Sequence, residues 1–300
     1  MKENTEIVNV NNFIYLAALM KSASTLIQQV LSAVQEPSNR PDHSKLDDAM
    51  TNAFMPMTMD FLKSFPHGGV FKNHAPIEYH NNLFLQQTGC KYVILMRHPA
   101  DHLAAFFCHH RTVVSRVRWS APPERSGPWW FAVGQTPAGF QDEEPETGIR
   151  RLIEFGYLFK CLQWMADWAA FRNPNQSRLL RYEDVVGDFE TVVTKLCWFI
   201  RGVAPDEDLM RYVTHVFDHE AAEGARKNAS QCYPRGWTGQ SGAWRNYFSA
   251  ETVEAYNCVV EKFIDAYPQA RLLSTIYPNL TIDALDRPFR VNFRGRATAS

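Results

Sequence analysis

The stretch "NNFIYLAALMKSASTLIQQVLSAV", residues 11–34, decides the fold class. Residues 13–19 form a near-continuous apolar run, the pattern of a strand covered on both faces. The run stops at Lys21 and passes through Ser22, Ala23, Ser24 and Thr25. Apolar residues then return as Leu26, Ile27, Val30, Leu31 and Val34, at the three-to-four spacing of a helix. Strand, polar turn and helix follow one another. A lysine with three hydroxyl side chains at such a turn is a setting for an anion, because the helix N-terminus adds backbone N–H groups and the positive end of its dipole.

Two more units repeat the plan. "GGVFKNHAP" reads as a short strand ending near Lys72, followed by Asn73 and His74, with Pro76 stopping it. "KYVILM", residues 91–96, is the clearest buried strand; it ends at Arg97, and "HPADHLAAFF" opens a helix with Pro99 in its first turn. Residues 151–171 read as one long amphipathic helix carrying Phe155, Phe159, Trp164 and Trp168. "RLLRYED" supplies a further strand ending at Tyr182, and "DFETVVTKLCWFIRG" a helix closed by Gly202. Alternating strands and helices predict an α/β fold with a central, mainly parallel sheet flanked by helices. No repeat or strong linker interrupts residues 1–300, so a single domain is expected. Residues 112–148 are rich in Pro and Gly and carry Trp119, Trp129, Trp130, Phe131 and Phe140 beside Asp142, Glu143, Glu144 and Glu146. That composition points to a lid-like insertion or binding loop.

Composition narrows the class. The chain has 300 residues, 45% hydrophobic and 21% charged, with a formal net charge of −1. Such a balance belongs to a globular protein and speaks against a nucleic-acid partner held by phosphate neutralisation. The early apolar run is too short to cross a bilayer, and "MKENTEIVNV" lacks the basic start and cleavage site of a signal peptide. Six cysteines, Cys90, Cys108, Cys161, Cys197, Cys232 and Cys258, form no C-x-x-C pair and read as reduced thiols. The expectation is a cytoplasmic protein without a membrane partner. His98, His102, His109 and His110 invite a zinc reading, but no H-E-x-x-H is present and Pro99 interrupts the cluster, so no metal is expected.

In a parallel α/β sheet, ligands bind at the C-terminal ends of the strands. Here those ends carry Lys21 with its hydroxyl turn, then Lys72 and His74, then Arg97, then Tyr182. Two lysines and an arginine directed at one region call for a nucleotide with several phosphate or sulfate groups. A Walker A loop is absent. The pattern resembles the sulfotransferases that use 3′-phosphoadenosine 5′-phosphosulfate (PAPS) and release 3′-phosphoadenosine 5′-phosphate (PAP). "MKSASTL" is similar to the family's P-K-S-G-T-T-W loop, "FKNH" to K-[TS]-H, and "RHPADHLAA" to R-N-P-x-D-x-x-x-S. "RYED" fits a Y-E-D strand end, and "RGWTGQSGAWRNYF" resembles R-K-G-x-x-G-x-W-K in a form two residues longer.

The resemblance implies a P-loop-like nucleotide-binding core and a set of roles. Lys21 and Lys72 would meet the bridging oxygen and the sulfuryl group. Lys21, Ser22, Ala23, Ser24, Thr25 and Leu26 would form the 5′-phosphosulfate loop, Leu26 standing where an adenine-stacking tryptophan is common. Arg97, Arg235 and the backbone near Gly236 would hold the 3′-phosphate, Tyr182 would sit against adenine, and His74 would be the general base. Ala23 replaces the usual loop glycine, and Ala105 the serine eight residues beyond the arginine. The implied acceptor is a small molecule with a hydroxyl or nitrogen nucleophile. Trp119, Trp129, Trp130, Phe140, Glu143 and Glu144 would contact it, and the acidic residues favour a cationic natural product of the guanidinium-bearing saxitoxin type, in specialised metabolism. The dimer motif is present only in degraded form across 245–254, so monomer and homodimer both stand. The other readings are a sulfotransferase-like nucleotide-binding protein without activity and a P-loop-type kinase, which lacks both Walker A and an evident Mg2+-holding aspartate.

Overall fold

The computed structural model of the chain describes residues 13–35, 69–77, 79–114, 143–230 and 241–283. Among these, four strands form one sheet: β1 (Phe13–Ala18), β2 (Gly69–Asn73), β3 (Lys91–Met96) and β4 (Ser177–Arg181), in the order β2-β1-β3-β4. Every pairing is parallel, with Ala17 beside Asn73 on one side and beside Ile94 on the other. All six residues of β1 are buried, as a strand with neighbours on both edges and helices on both faces requires.

The helices are α1 (Ser24–Gln35), α2 (Tyr79–Thr88), α3 (Pro99–Val114), α4 (Pro145–Glu154), α5 (Tyr157–Phe171), α6 (Tyr182–Gly187), α7 (Phe189–Arg201), α8 (Glu207–Ser230), α9 (Ala250–Ala266) and α10 (Ala270–Ile276), with a 3-10 turn at Ala243–Asn246. Strands alternate inward residues between two cores. Tyr15, Phe71, Tyr92, Trp164, Trp168 and Phe263 belong to one, and Leu16, Val30, Val93, Leu95, Val193 and Leu196 to the other.

Three sequence expectations shift. The long helix of residues 151–171 is two helices. The first begins at Pro145 and runs only to Glu154; Phe155 closes it, and Gly156, with φ 79, turns the chain into α5. An L-residue disfavours that left-handed conformation and glycine does not, so the break sits where glycine permits it. The fourth strand ends at Arg181, and Tyr182 already opens α6. Of the expected insertion 112–148, residues 112–114 complete α3 and 145–148 start α4, while 115–142 lie outside the described residues. Gly148 lets α4 approach α3 closely: a Cβ there would sit 2.0 Å from the ring of Phe107. Among the described residues no helix is long and apolar enough to cross a membrane, and no cluster of His, Cys, Asp and Glu could hold a metal ion.

Candidate active site

The turn after β1 sets the site. Lys21 and Ala23 have φ 60 and 67, values that favour glycine. L-residues reach that region at a cost of about 1–2 kcal/mol each. The surroundings hold the strained turn through its carbonyls. The Ala18 carbonyl accepts from His74 Nδ1 at 2.6 Å, the Leu19 carbonyl from Ser22 Oγ, and the Lys21 carbonyl from Arg97 Nη1 at 2.9 Å. Leu19 N–H donates to the Leu95 carbonyl at 2.9 Å, which continues the ladder past the end of β1. With its carbonyls drawn back onto these donors, the turn leads directly into α1. The Ala23 carbonyl accepts the first helical bond, from Ile27 N–H, at 3.1 Å. The amides of Ser24, Thr25 and Leu26 precede that bond, and helix geometry leaves such groups without an intrahelical acceptor. Backbone amides and the helix dipole therefore converge where an anion would sit.

Cations flank this turn. Lys72 is 8% exposed, and its Nζ donates to Thr25 Oγ1 at 3.3 Å, tying the end of β2 to the start of α1. Arg97 is 3% exposed; its guanidinium lies 4.0 Å from the centre of the Tyr182 ring, a cation–π contact that fixes its plane. Tyr182 thus backs Arg97 from the first turn of α6. Leu26 packs into the aliphatic core beside α1, and Thr25 is exposed.

His74 lies just past the end of β2. A carbonyl can only accept, so the 2.6 Å contact to Ala18 places a proton on Nδ1 and makes Nε2 the lone-pair nitrogen. Burial lowers the His74 pKa to about 4; the bond to Ala18 opposes this, and the charges of Lys72 and Lys21 add to the lowering. At neutral pH the ring is therefore a neutral base.

Sequence reasoning gave no role to Asp101 or His102. Asp101 accepts from the backbone N–H groups of Gly242, at 2.6 Å, and Trp244, at 3.0 Å. This pins the end of the "RGWTGQSGAW" stretch onto the first turn of α3, next to Arg97. The signal was in the sequence, since Asp101 is the aspartate of the R-x-P-x-D match. Arg235 and Gly236 lie outside the described residues, as do Trp119, Trp129, Trp130 and Phe140. His102 is fully buried beside Tyr157, whose hydroxyl is 2.9 Å from Nε2. Burial, then the charge of Arg97, lowers its pKa to about 3. Ala105 is buried on α3 and carries no hydroxyl toward a phosphate. Glu143 is half-buried and forms an ion pair with Arg151, while Glu144 and Glu146 are exposed.

A family profile for the sulfotransferase domain matches residues 12–268. The chain belongs to the sulfotransferase family. Its curated relatives include 3-alpha-hydroxysteroid sulfotransferase of Cavia porcellus, 22% identical over 66% of this chain. The match spans 64% of that relative's length. The 3-beta-hydroxysteroid sulfotransferase of the same organism is 19% identical over 70% of this chain and 68% of its own. Among solved structures, a mouse sulfotransferase complexed with PAP has a TM-score of 0.54 at 16% identity, covering 89% of this chain and 92% of its own. Retinol dehydratase in complex with androsterone and inactive cofactor PAP has a TM-score of 0.56 at 15% identity, covering 88% and 85%. These two structures share the α/β fold of this chain.

Proposed function

We propose that this chain transfers the sulfuryl group of PAPS to a hydroxyl or nitrogen of a small-molecule acceptor, releasing PAP. The observation that carries the reading is the placement of His74. It is neutral and held as the Nδ1–H tautomer by the strand whose next turn presents Lys21 and helix amides, with Lys72 beside that turn. The 5′-phosphosulfate would rest on the turn from Lys21 to Leu26, with Lys72 beside Thr25. Arg97, held flat on Tyr182, would take the 3′-phosphate, whose demand for paired donors suits a guanidinium. Arg235 and the backbone near Gly236 would complete that subsite, and Tyr182 would lie near the adenine.

In the reaction, the acceptor oxygen or nitrogen forms a bond to sulfur as the bond from sulfur to the bridging phosphate oxygen breaks. The acceptor proton passes to His74 Nε2. Negative charge gathers on the leaving phosphate oxygen, where Lys21 and Lys72 stabilise it. Positioning and charge stabilisation supply the catalysis, as in phosphoryl transfer.

For the acceptor, the Trp119, Trp129, Trp130 and Phe140 segment favours a flat or apolar body. Glu143 is engaged by Arg151, so Asp142, Glu144 and Glu146 are the charges left for a cationic acceptor to meet. A Glu144→Gln/Glu146→Gln variant with raised acceptor KM and unchanged PAP binding supports the cationic class; an unchanged KM assigns a neutral acceptor. The proposal includes a cytoplasmic location, with the described cysteines present as thiols.

Calorimetric titration with PAP and with ATP, without metal, is the test. PAP-selective binding that weakens in Arg97→Ala, together with PAP release from PAPS only in the presence of an acceptor, establishes the reading. Absence of PAP binding would sink it.

A further inference from the structure

His74 is held at its ring by Ala18, but a base is also positioned by its backbone, and here the backbone is gripped from two sides. Asn73 Oδ1 accepts from Ala75 N–H at 2.6 Å. The Ala75 carbonyl accepts from two indoles at once, Trp164 Nε1 at 2.9 Å and Trp168 Nε1 at 3.3 Å. Both tryptophans are on α5, four residues apart, so one helix face delivers both N–H groups to one oxygen. A carbonyl has two lone pairs and an indole is a donor only, so the arrangement saturates the acceptor and leaves neither ring a better use for its proton. Trp164 is 1% and Trp168 0% exposed. Trp168 also packs against Tyr15 of β1, ring centres 5.8 Å apart, and against Trp164 at 6.0 Å, so the donors are mounted on the rigid core.

The geometry points to Asn73, Trp164 and Trp168 as positioning residues that lock Ala75, the residue immediately after His74, through the peptide groups on both its sides and thereby fix the direction of the His74 imidazole. The inference rests on the proposed role of His74 as base. Burying two tryptophans requires a partner for each N–H, and any core carbonyl would meet that need. What marks this site is convergence. Two N–H groups and one side-chain carbonyl meet the N–H and the C=O of a single residue adjacent to the base, while the ring itself is tied to a strand end. Reacting groups displaced by about 1 Å lose up to about a hundredfold in rate. A backbone gripped at both polar atoms resists such a displacement.

The experiment uses the full chain in five forms: wild type, the Trp164→Phe/Trp168→Phe double variant, Asn73→Ala, Asn73→Ser and His74→Gln. Phenylalanine keeps most of the packed ring and removes only the N–H. Ring-nitrogen NMR of histidine-labelled protein without cofactor reads the His74 tautomer, with His74→Gln assigning the signal. The double variant is expected to turn a single Nδ1–H tautomer into a mixture and to lower kcat about tenfold, with PAP affinity within twofold of wild type. Asn73→Ser, which keeps an acceptor oxygen, is expected to retain the wild-type tautomer, and Asn73→Ala to lose it.

A folded double variant with wild-type tautomer and kcat overturns the assignment. If the double variant fails to fold, the Asn73 pair decides: equal tautomer ratios in Asn73→Ala and Asn73→Ser overturn it, and loss in Asn73→Ala alone supports it. If wild type shows no sulfuryl transfer, the proposed function fails, while the tautomer measurement still tests the clamp.

Discussion

On one face of the sheet, β1 turns Phe13, Tyr15 and Ala17 toward a core of Phe71, Tyr92, Trp164 and Trp168; on the other it turns Ile14, Leu16 and Ala18 toward Val30, Val93 and Leu196. The first core is aromatic and carries polar tips. The second is aliphatic around these residues. The tips of the first reach the site: two indole N–H groups meet Ala75, and Tyr157 meets His102. The aliphatic side supports α1 mainly by packing, with Gln28 Nε2 donating to the Val70 carbonyl at 3.4 Å and Lys72 Nζ to Thr25 Oγ1 at 3.3 Å. Non-directional burial stabilises a layer without fixing an angle, whereas a hydrogen bond from a packed ring fixes both. The two faces therefore answer differently to mutation, and the contrast can be broken by experiment.

Removing the proposed base should have the largest effect. His74→Ala is expected to lower kcat by a hundredfold or more, about what general-base loss removes, with PAP affinity retained in calorimetry. Second comes the aliphatic face. Leu196→Ala, fully buried on α7, should destabilise the fold by about 3 kcal/mol in urea titration, with kcat per folded molecule unchanged. A fall in kcat there would erase the distinction between the faces. Third, Gly148→Ala drives a methyl into Phe107 on the aromatic side and is expected to cost about 1–3 kcal/mol.

A smaller effect comes with acid. The folded His74 pKa is about 4, below the ordinary value of 6.5, and that of His102 is about 3. Between these limits the unfolded chain binds protons that the folded chain does not, so stability falls as pH drops from 6.5 toward 4. His74→Gln should make that fall shallower in thermal melts; an identical slope would show that His74 titrates normally. The smallest change expected is Ala23→Gly, which relieves a left-handed alanine and should stabilise by at most about 1 kcal/mol, offset by the greater freedom of glycine in the unfolded chain.

Much of this was legible in the sequence because buried strands announce themselves by unbroken apolar runs and end on polar residues. Residues 13–19 and 91–96 gave two central strands, and the residues beyond their ends gave Lys21 and Arg97. The alanine in place of the loop glycine was legible too, and its φ of 67 shows what it costs. Pairings across long stretches of chain were not legible. Asp101 finds Gly242, 141 positions on, and Trp164 and Trp168 find Ala75, and no local pattern marks either meeting. Aromatics at helical spacing read only as a buried face. The break at Gly156 was hidden for another reason: one glycine in a strongly amphipathic run is ordinarily tolerated, and the left-handed turn there is a choice made by packing.

β2 is one of the two edge strands of the described sheet, paired on one side only, with β1. It is also the strand that leads into Lys72 and His74. The proposed chemistry thus hangs on the margin of the sheet, where amide protons exchange first and local opening needs the fewest broken bonds. A molecule could lose its base while its interior stays closed, so on gentle heating activity would fade ahead of unfolding. A bound nucleotide bridging Lys72 to the turn after β1 would close that margin and protect its amides.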